Sequence, residues 1–254
     1  MTVEANEPVL IALATQHAEL ARLLAPLDEL AWRAPTPCPG WAVADVVAHL
    51  AQTDEAAVAS VEGRLGALAN GTLMDDSLAD VDELAERMVA GTRSLPAAQV
   101  LARWSDATAA LRAALLVVAP ETRCQWVVGT FTARTLATTR LAETWIHTGD
   151  VAAALGVDPE IDDRIAHIAR LAWRTVPYAF ERAGLPPPAA VGFDLELPSG
   201  ARLDLGVDRA ATTVRGTALD LCRVAGQRAD AADTALTAHG PDAATVLRLV
   251  RTFA

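Results

Sequence analysis

The sequence predicts a mainly α fold, an up-and-down helical bundle followed by a small α+β domain. Three observations predict it. Apolar residues recur at spacings of three and four over most of residues 8–184. The spacing then changes to two after the run Leu185-Pro186-Pro187-Pro188. Proline and glycine fall between the periodic stretches rather than inside them. The expected division is a bundle over residues 1–184 and a second domain over 189–254.

The elements follow in order. Leu10, Leu13, His17, Leu20 and Leu24 mark the first helix. Pro35, Pro37, Pro39 and Gly40 form the loop after it, and Trp41 opens the second helix. Residues 42–67, 79–93, 97–118, 134–155 and 160–183 carry the same helical spacing. Asn70-Gly71 breaks the chain after the second helix, and Pro120 stops the helix over 97–118. Residues 121–133 are expected as a loop. Long helices with such short connections pack as an antiparallel bundle.

In the second domain, residues 191–197 and 202–207 alternate apolar and polar around the Pro198-Ser199-Gly200 turn, which predicts a hairpin. Residues 212–215 and 234–238 read as further strands, and residues 217–228 and 242–253 as helices.

Composition excludes several classes of function. The chain has 254 residues, enough to bury a core without cross-links. Its net charge of −11 argues against nucleic acid and against an anionic membrane surface. No apolar run is long enough for a membrane span, and the acidic start lacks the basic region of a secretion signal. Cys38, Cys124 and Cys222 are scattered and odd in number, so no disulfide framework is expected and a cytoplasmic location fits. All 21 basic residues are arginine, which fits GC-rich coding as in actinobacteria and leaves no lysine for Schiff-base chemistry.

The densest chemistry lies in residues 140–150, RLAETWIHTGD. Glu143 and His147 stand one helical turn apart and share a face. Asp150 continues the stripe and Arg140 precedes it. A carboxylate and an imidazole so spaced can reach one cation. The plain alternative is a solvated face, but Leu141, Trp145 and Ile146 turn this helix toward a core. His49 is the single histidine of the apolar segment WAVADVVAHL. Alone it reads as a packed histidine; beside the 143–147 stripe it reads as a third ligand, because bundle cores build metal sites from facing helices. His17, His167 and His239 have no such partners and read as surface or packing residues.

Residues 37–50, PCPGWAVADVVAHL, resemble the P-x-P-G-W-x-V-x-D-x-x-x-H-L signature of mycothiol-dependent maleylpyruvate isomerase-like proteins, which belong to the DinB-like metal-binding bundles. Residues 143–150 resemble that family's second motif, E-x-x-x-H-x-x-D. Trp126, Gly129, Ala133 and Arg134 match a pattern of its actinobacterial members, and residues 216–228 resemble its late helix ending in arginine. The resemblance therefore runs over nearly the whole chain.

The resemblance implies one divalent metal, zinc being the expected ion, held by His49, Glu143 and His147 with a coordination position left open. It implies mycothiol as cosubstrate, so that none of the chain's cysteines need be the nucleophile. Asp150 would orient a ligand or move a proton, and Arg228 would clamp a substrate carboxylate from the second domain. Arg140 and Arg134 are candidates for holding the thiol cofactor, although Arg140 also suits a pairing with Glu143. The active cavity is expected between the two domains. The reading is thus an isomerase or thiol transferase acting on a small, carboxylate-bearing molecule, as a monomer or homodimer. The alternatives are a thiol-independent Lewis-acid enzyme of biosynthesis and a non-catalytic metal-binding module.

Overall fold

A computed structural model describes residues 7–65, 81–127 and 129–252. The Asn70-Gly71 break and the chain's last two residues lie outside them. The chain divides into two compact units, Met1–Pro159 and Glu160–Ala254.

The first unit is helical. Its elements are α1 (Glu7–Leu24), the short α2 (Glu29–Trp32), α3 (Val43–Val61), α4 (Val81–Ala90), α5 (Ala97–Val117) and α6 (Ala133–Leu155). Between α5 and α6 lie β1 (Arg123–Trp126) and β2 (Gly129–Thr132). Helix α3 runs along α5 and also touches α6, and α1 runs along α6. The apolar stripes read from the sequence meet in one core that includes Leu20, Leu24, Trp32, Val47, Leu50, Val100 and Trp104. Burying each such side chain contributes roughly 1.5–3 kcal/mol.

Two ends of α6 are fixed locally. The Thr132 side chain accepts the Thr135 N–H at its start. Gly156 stops it in the left-handed region at φ 68°, where a side chain is strained. Helix α3 begins where the Asp45 carboxylate accepts the Ala42 N–H at 2.9 Å.

One expectation fails here. Residues 121–133 are expected as a loop, but within them β1 pairs antiparallel with β2, with Cys124 opposite Phe131. Each strand has four residues, too few for a period of two to stand out.

The second unit holds α7 (Ile165–Arg182), β3 (Val191–Glu196), β4 (Arg202–Leu205), β5 (Thr212–Thr217), α8 (Ala218–Ala225), β6 (Thr237–His239) and α9 (Ala243–Leu249). Its four-stranded sheet has the order β4-β3-β5-β6. The β3–β4 hairpin is antiparallel as expected, β3 and β5 are parallel, and β5–β6 is antiparallel. Helix α7 has bundle-like spacing, yet it packs on α8, α9 and the β3–β4 hairpin. The compact units therefore part before α7, not at the Pro186–Pro188 run. No helix among the described residues is long and apolar enough to cross a membrane.

Candidate metal centre

Helices α3 and α6 face one another through His49, Glu143 and His147. His49 Nε2 lies 3.5 Å from Glu143 Oε2, and His147 Nε2 lies 3.7 Å from the same oxygen. The three donor atoms lie within 4.8 Å of one another. The i,i+4 spacing on α6 brings Glu143 and His147 together, and α3 supplies His49 from across the bundle. The side chains of His49 and Glu143 are each 14% exposed, so the cluster is nearly buried but keeps an opening.

Asp150, one turn beyond His147, accepts a hydrogen bond from His147 Nδ1 at 2.9 Å. With Asp150 accepting, Nδ1 carries a proton and the ring turns Nε2 toward Glu143 and His49. Of the two roles expected for Asp150, its contact with His147 suits orienting a candidate ligand.

The loop between α2 and α3 roofs the cluster. Trp41 packs against both imidazoles, with ring centroids 5.2 Å from His49 and 6.4 Å from His147. Its indole N–H donates to Glu86 at 2.8 Å, which holds the ring in place. The thiol of Cys38 donates to Asp150 Oδ2 at 3.2 Å. Sequence reading took Trp41 as a helix opener and gave Cys38 no role. Loop residues have no periodicity to betray what they face.

The electrostatics differ from group to group. Burial disfavours a charged Glu143, but the His49 hydrogen bond and the nearby Arg140 and His147 outweigh it and pull its carboxyl down to about 2. Burial also disfavours a charged His147, yet its bonds to Asp150 and Cys38 and the charge of Glu143 raise it to about 9. Burial pushes His49 down, and Glu143 offsets this only in part. Glu143 is therefore a ready anionic donor, and His49 a neutral one.

Arg140 does not pair with Glu143. It is fully buried, its Nε donates to Asp54 Oδ1 at 2.8 Å, and its Nη2 donates to Thr53 Oγ1 at 2.8 Å. Thr53 in turn donates to the His49 carbonyl at 2.9 Å. The guanidinium therefore ties α6 to α3 one turn below the metal cluster. An arginine on a helix can reach along its own helix or across to a neighbour; here the buried Asp54 carboxylate on α3 captures it. Beyond Asp54 lies His17, with Nε2 3.8 Å from Asp54 Oδ2 and Nδ1 3.0 Å from Arg112.

The remaining sequence candidates are not brought to this cluster within the first unit. Arg134 pairs with Glu121 at 2.9 Å on the surface. It sits thirteen residues before His147, about 20 Å along the helix axis. Arg228 belongs to the second unit, in the turn after α8, where its Nη1 donates to the Gly226 carbonyl at 3.0 Å.

The fold and the site together define a helical bundle whose nearly buried His–Glu–His donor set could hold a metal ion. Residues 13–152, which contain the whole cluster, match the model of the mycothiol maleylpyruvate isomerase N-terminal domain. An uncharacterised protein of Mycobacterium tuberculosis, present in strains CDC 1551 and H37Rv, is 35% identical over 253 residues, covering 97% of this chain and 95% of its own. The chain belongs to the mycothiol maleylpyruvate isomerase family. Crystal structures of the mycothiol-dependent maleylpyruvate isomerase, wild type and a mutant, share its fold with a TM-score of 0.63 at 18% identity over 96% of both chains.

Proposed function

We propose that the protein is a metal-dependent enzyme that uses mycothiol as cosubstrate, either transferring it to an electrophile or adding and eliminating it to isomerise a double bond. The observation that carries the reading is the convergence of His49 Nε2, Glu143 Oε2 and His147 Nε2 beneath the Trp41 roof. Family membership directs that cluster toward thiol chemistry.

The residues fit a divalent cation on their own chemistry. They offer one anionic and two imidazole donors, and a bond to Asp150 fixes the tautomer of His147. The nearby guanidinium of Arg140 is held by Asp54 and Thr53 and does not fill the space between the donors. Zinc is the ion this set suits best among those it accepts. Such an ion, when bound, supplies Lewis acidity and keeps a thiol ionised at neutral pH.

The chain's residues do the rest. His49, Glu143 and His147 would hold the ion. Trp41 limits water on one side and presents an apolar wall. Asp150 Oδ2 holds the Nδ1 proton of His147. In an addition, the thiolate sulfur bonds to the β-carbon of an α,β-unsaturated carboxylate and a proton enters at the α-carbon; reversal after rotation about the new single bond returns the thiol and the other isomer. Arg228 is assigned to the substrate carboxylate, because an arginine fork matches it and the ligand helices are otherwise lined by Val, Ala and Leu.

The test is incubation of metal-loaded protein with mycothiol and an α,β-unsaturated carboxylate, read by mass and by proton NMR of the double bond. The expected result is an adduct or the other isomer, absent in His49→Ala. Turnover of an acceptor without any thiol would contradict the reading in favour of Lewis-acid chemistry alone. Arg228→Ala is expected to leave metal content intact and to lower kcat/KM by the equivalent of about 2–4 kcal/mol.

A further inference from the structure

We propose that the Cys38 thiol is a positioning group for His147, acting by donating its S–H to Asp150. The inference rests on the reading of His49, Glu143 and His147 as a metal set, and adds to it a residue that touches neither metal nor substrate.

The geometry is a short relay. Asp150 Oδ2 accepts from His147 Nδ1 at 2.9 Å and from Cys38 Sγ at 3.2 Å. Two donors from different elements converge on one carboxylate oxygen. The carboxylate is buried, so turning it away would leave polar atoms without their partners. A thiol is a weak donor, and a buried acceptor raises its worth.

The loop that carries Cys38 is built to hold it. The Cys38 N–H donates to Thr36 Oγ1 at 3.2 Å, and the Cys38 carbonyl accepts from the Trp41 N–H at 3.0 Å. The Thr36 N–H closes the same turn on the Trp41 carbonyl at 2.9 Å. Gly40 takes φ +80°, which the turn needs and a side chain resists. Proline on each side of Cys38 restricts the backbone further. One short loop therefore lays Trp41 over the imidazoles and Cys38 against Asp150.

A different role for the thiol is direct ligation. Cys38, His147 and Asp150 also lie within 4.8 Å of one another. Against that, a metal in this second set would need His147 Nδ1, which the bond to Asp150 occupies. Two metals on one ring would require an imidazolate.

The test uses full-length, metal-free protein titrated with Zn2+ and with Co2+, comparing wild type, Cys38→Ser, Cys38→Ala and His49→Ala. Cys38→Ala should bind Zn2+ roughly three- to tenfold more weakly, less than the ~10–100-fold of a directly bonded partner. Cys38→Ser keeps a donor and should stay within about twofold of wild type, since a hydroxyl donates at least as well as a thiol. Thermal unfolding identifies any loss that comes from misfolding. Imidazole nitrogen NMR of the Zn2+-loaded protein should show a hydrogen-bonded Nδ1–H on His147 in wild type and Cys38→Ser, with that signal shifted in Cys38→Ala. Unchanged Zn2+ affinity and an unchanged Nδ1–H signal in Cys38→Ala would overturn the inference while leaving the metal reading intact. A sulfur-to-cobalt charge-transfer band lost in Cys38→Ala would overturn it in favour of ligation. Wild type without metal affinity, or His49→Ala with full affinity, would remove the metal reading and this inference with it.

Discussion

Two polar layers cross the same bundle one helical turn apart, and both pair histidine with a buried carboxylate. In the upper layer, His49, Glu143 and His147 turn three donor atoms toward one point. In the lower layer, His17 and Asp54 approach to 3.8 Å, but Arg140 already holds Asp54 at 2.8 Å. The charges respond in opposite ways. Glu143 is pulled down to about 2, whereas burial raises Asp54 in spite of its arginine. His147 is raised to about 9, whereas burial and the neighbouring Arg112 and Arg140 lower His17 to about 3. A buried His–carboxylate pair is therefore not itself a metal site. What separates the layers is whether a resident cation already occupies the carboxylate and which ring nitrogen a second residue engages: His147 Nδ1 donates to Asp150, whereas His17 Nδ1 accepts from Arg112.

The comparison can be broken at several points. The largest effect is expected in the lower layer. Arg140→Met leaves the Asp54 carboxylate buried without its partner and should destabilise the fold by about 3–5 kcal/mol in chemical denaturation. Adding Asp54→Leu to that variant should recover most of the loss, because an apolar pair replaces a buried ionic one. No recovery would mean that the pair does more than satisfy its own charges.

Next comes metal affinity. His147→Ala should weaken Zn2+ binding by more than about 100-fold, beyond what removing an outer partner does. His17→Gln should leave it unchanged. Calorimetric titration of both variants separates the layers, and equal losses would erase the distinction drawn between them.

The pH response sharpens it. His17 is neutral in the fold until about pH 3, while the unfolded chain takes up its proton near the ordinary 6.5. The unfolded state thus binds more protons between these values, so stability is full above 6.5 and is lost as pH falls toward 3. The slope from this residue approaches about 1.4 kcal/mol per pH unit. In urea unfolding at pH 7 and pH 5, His17→Gln should lose less stability on acidification than wild type. An identical loss in both would contradict a buried neutral His17.

The smallest effect belongs to Arg134. Its pair with Glu121 is exposed, and Arg134→Ala should change stability by less than about 0.5 kcal/mol in thermal unfolding.

Much of the upper layer was legible in the sequence. His49, Glu143, His147 and Asp150 are polar residues at helical spacing in apolar helices, and such residues need a partner or a task. The lower layer was not. Arg140 carries no sign of whether it reaches along α6 or across to α3, and Asp54 sits beside Glu55 like any surface acid. His17 read as surface or packing; it is packed, but within a polar network that no local spacing announces. The roof was hidden for another reason: Cys38 and Trp41 lie in a loop, where facing is set by turns rather than by period. The extent of the bundle was misjudged at α7 because helical spacing tells that a face is buried, not which partner buries it.

The central claim is that His49, Glu143 and His147 hold one divalent ion. Crystals grown with Zn2+ and measured at its absorption edge test it most directly. The account predicts one anomalous peak per chain at about 2.0–2.2 Å from His49 Nε2, His147 Nε2 and a Glu143 carboxylate oxygen, and none beside His17 and Asp54. A peak bound by Cys38 and Asp150, or zinc-saturated crystals with no peak between α3 and α6, would contradict it.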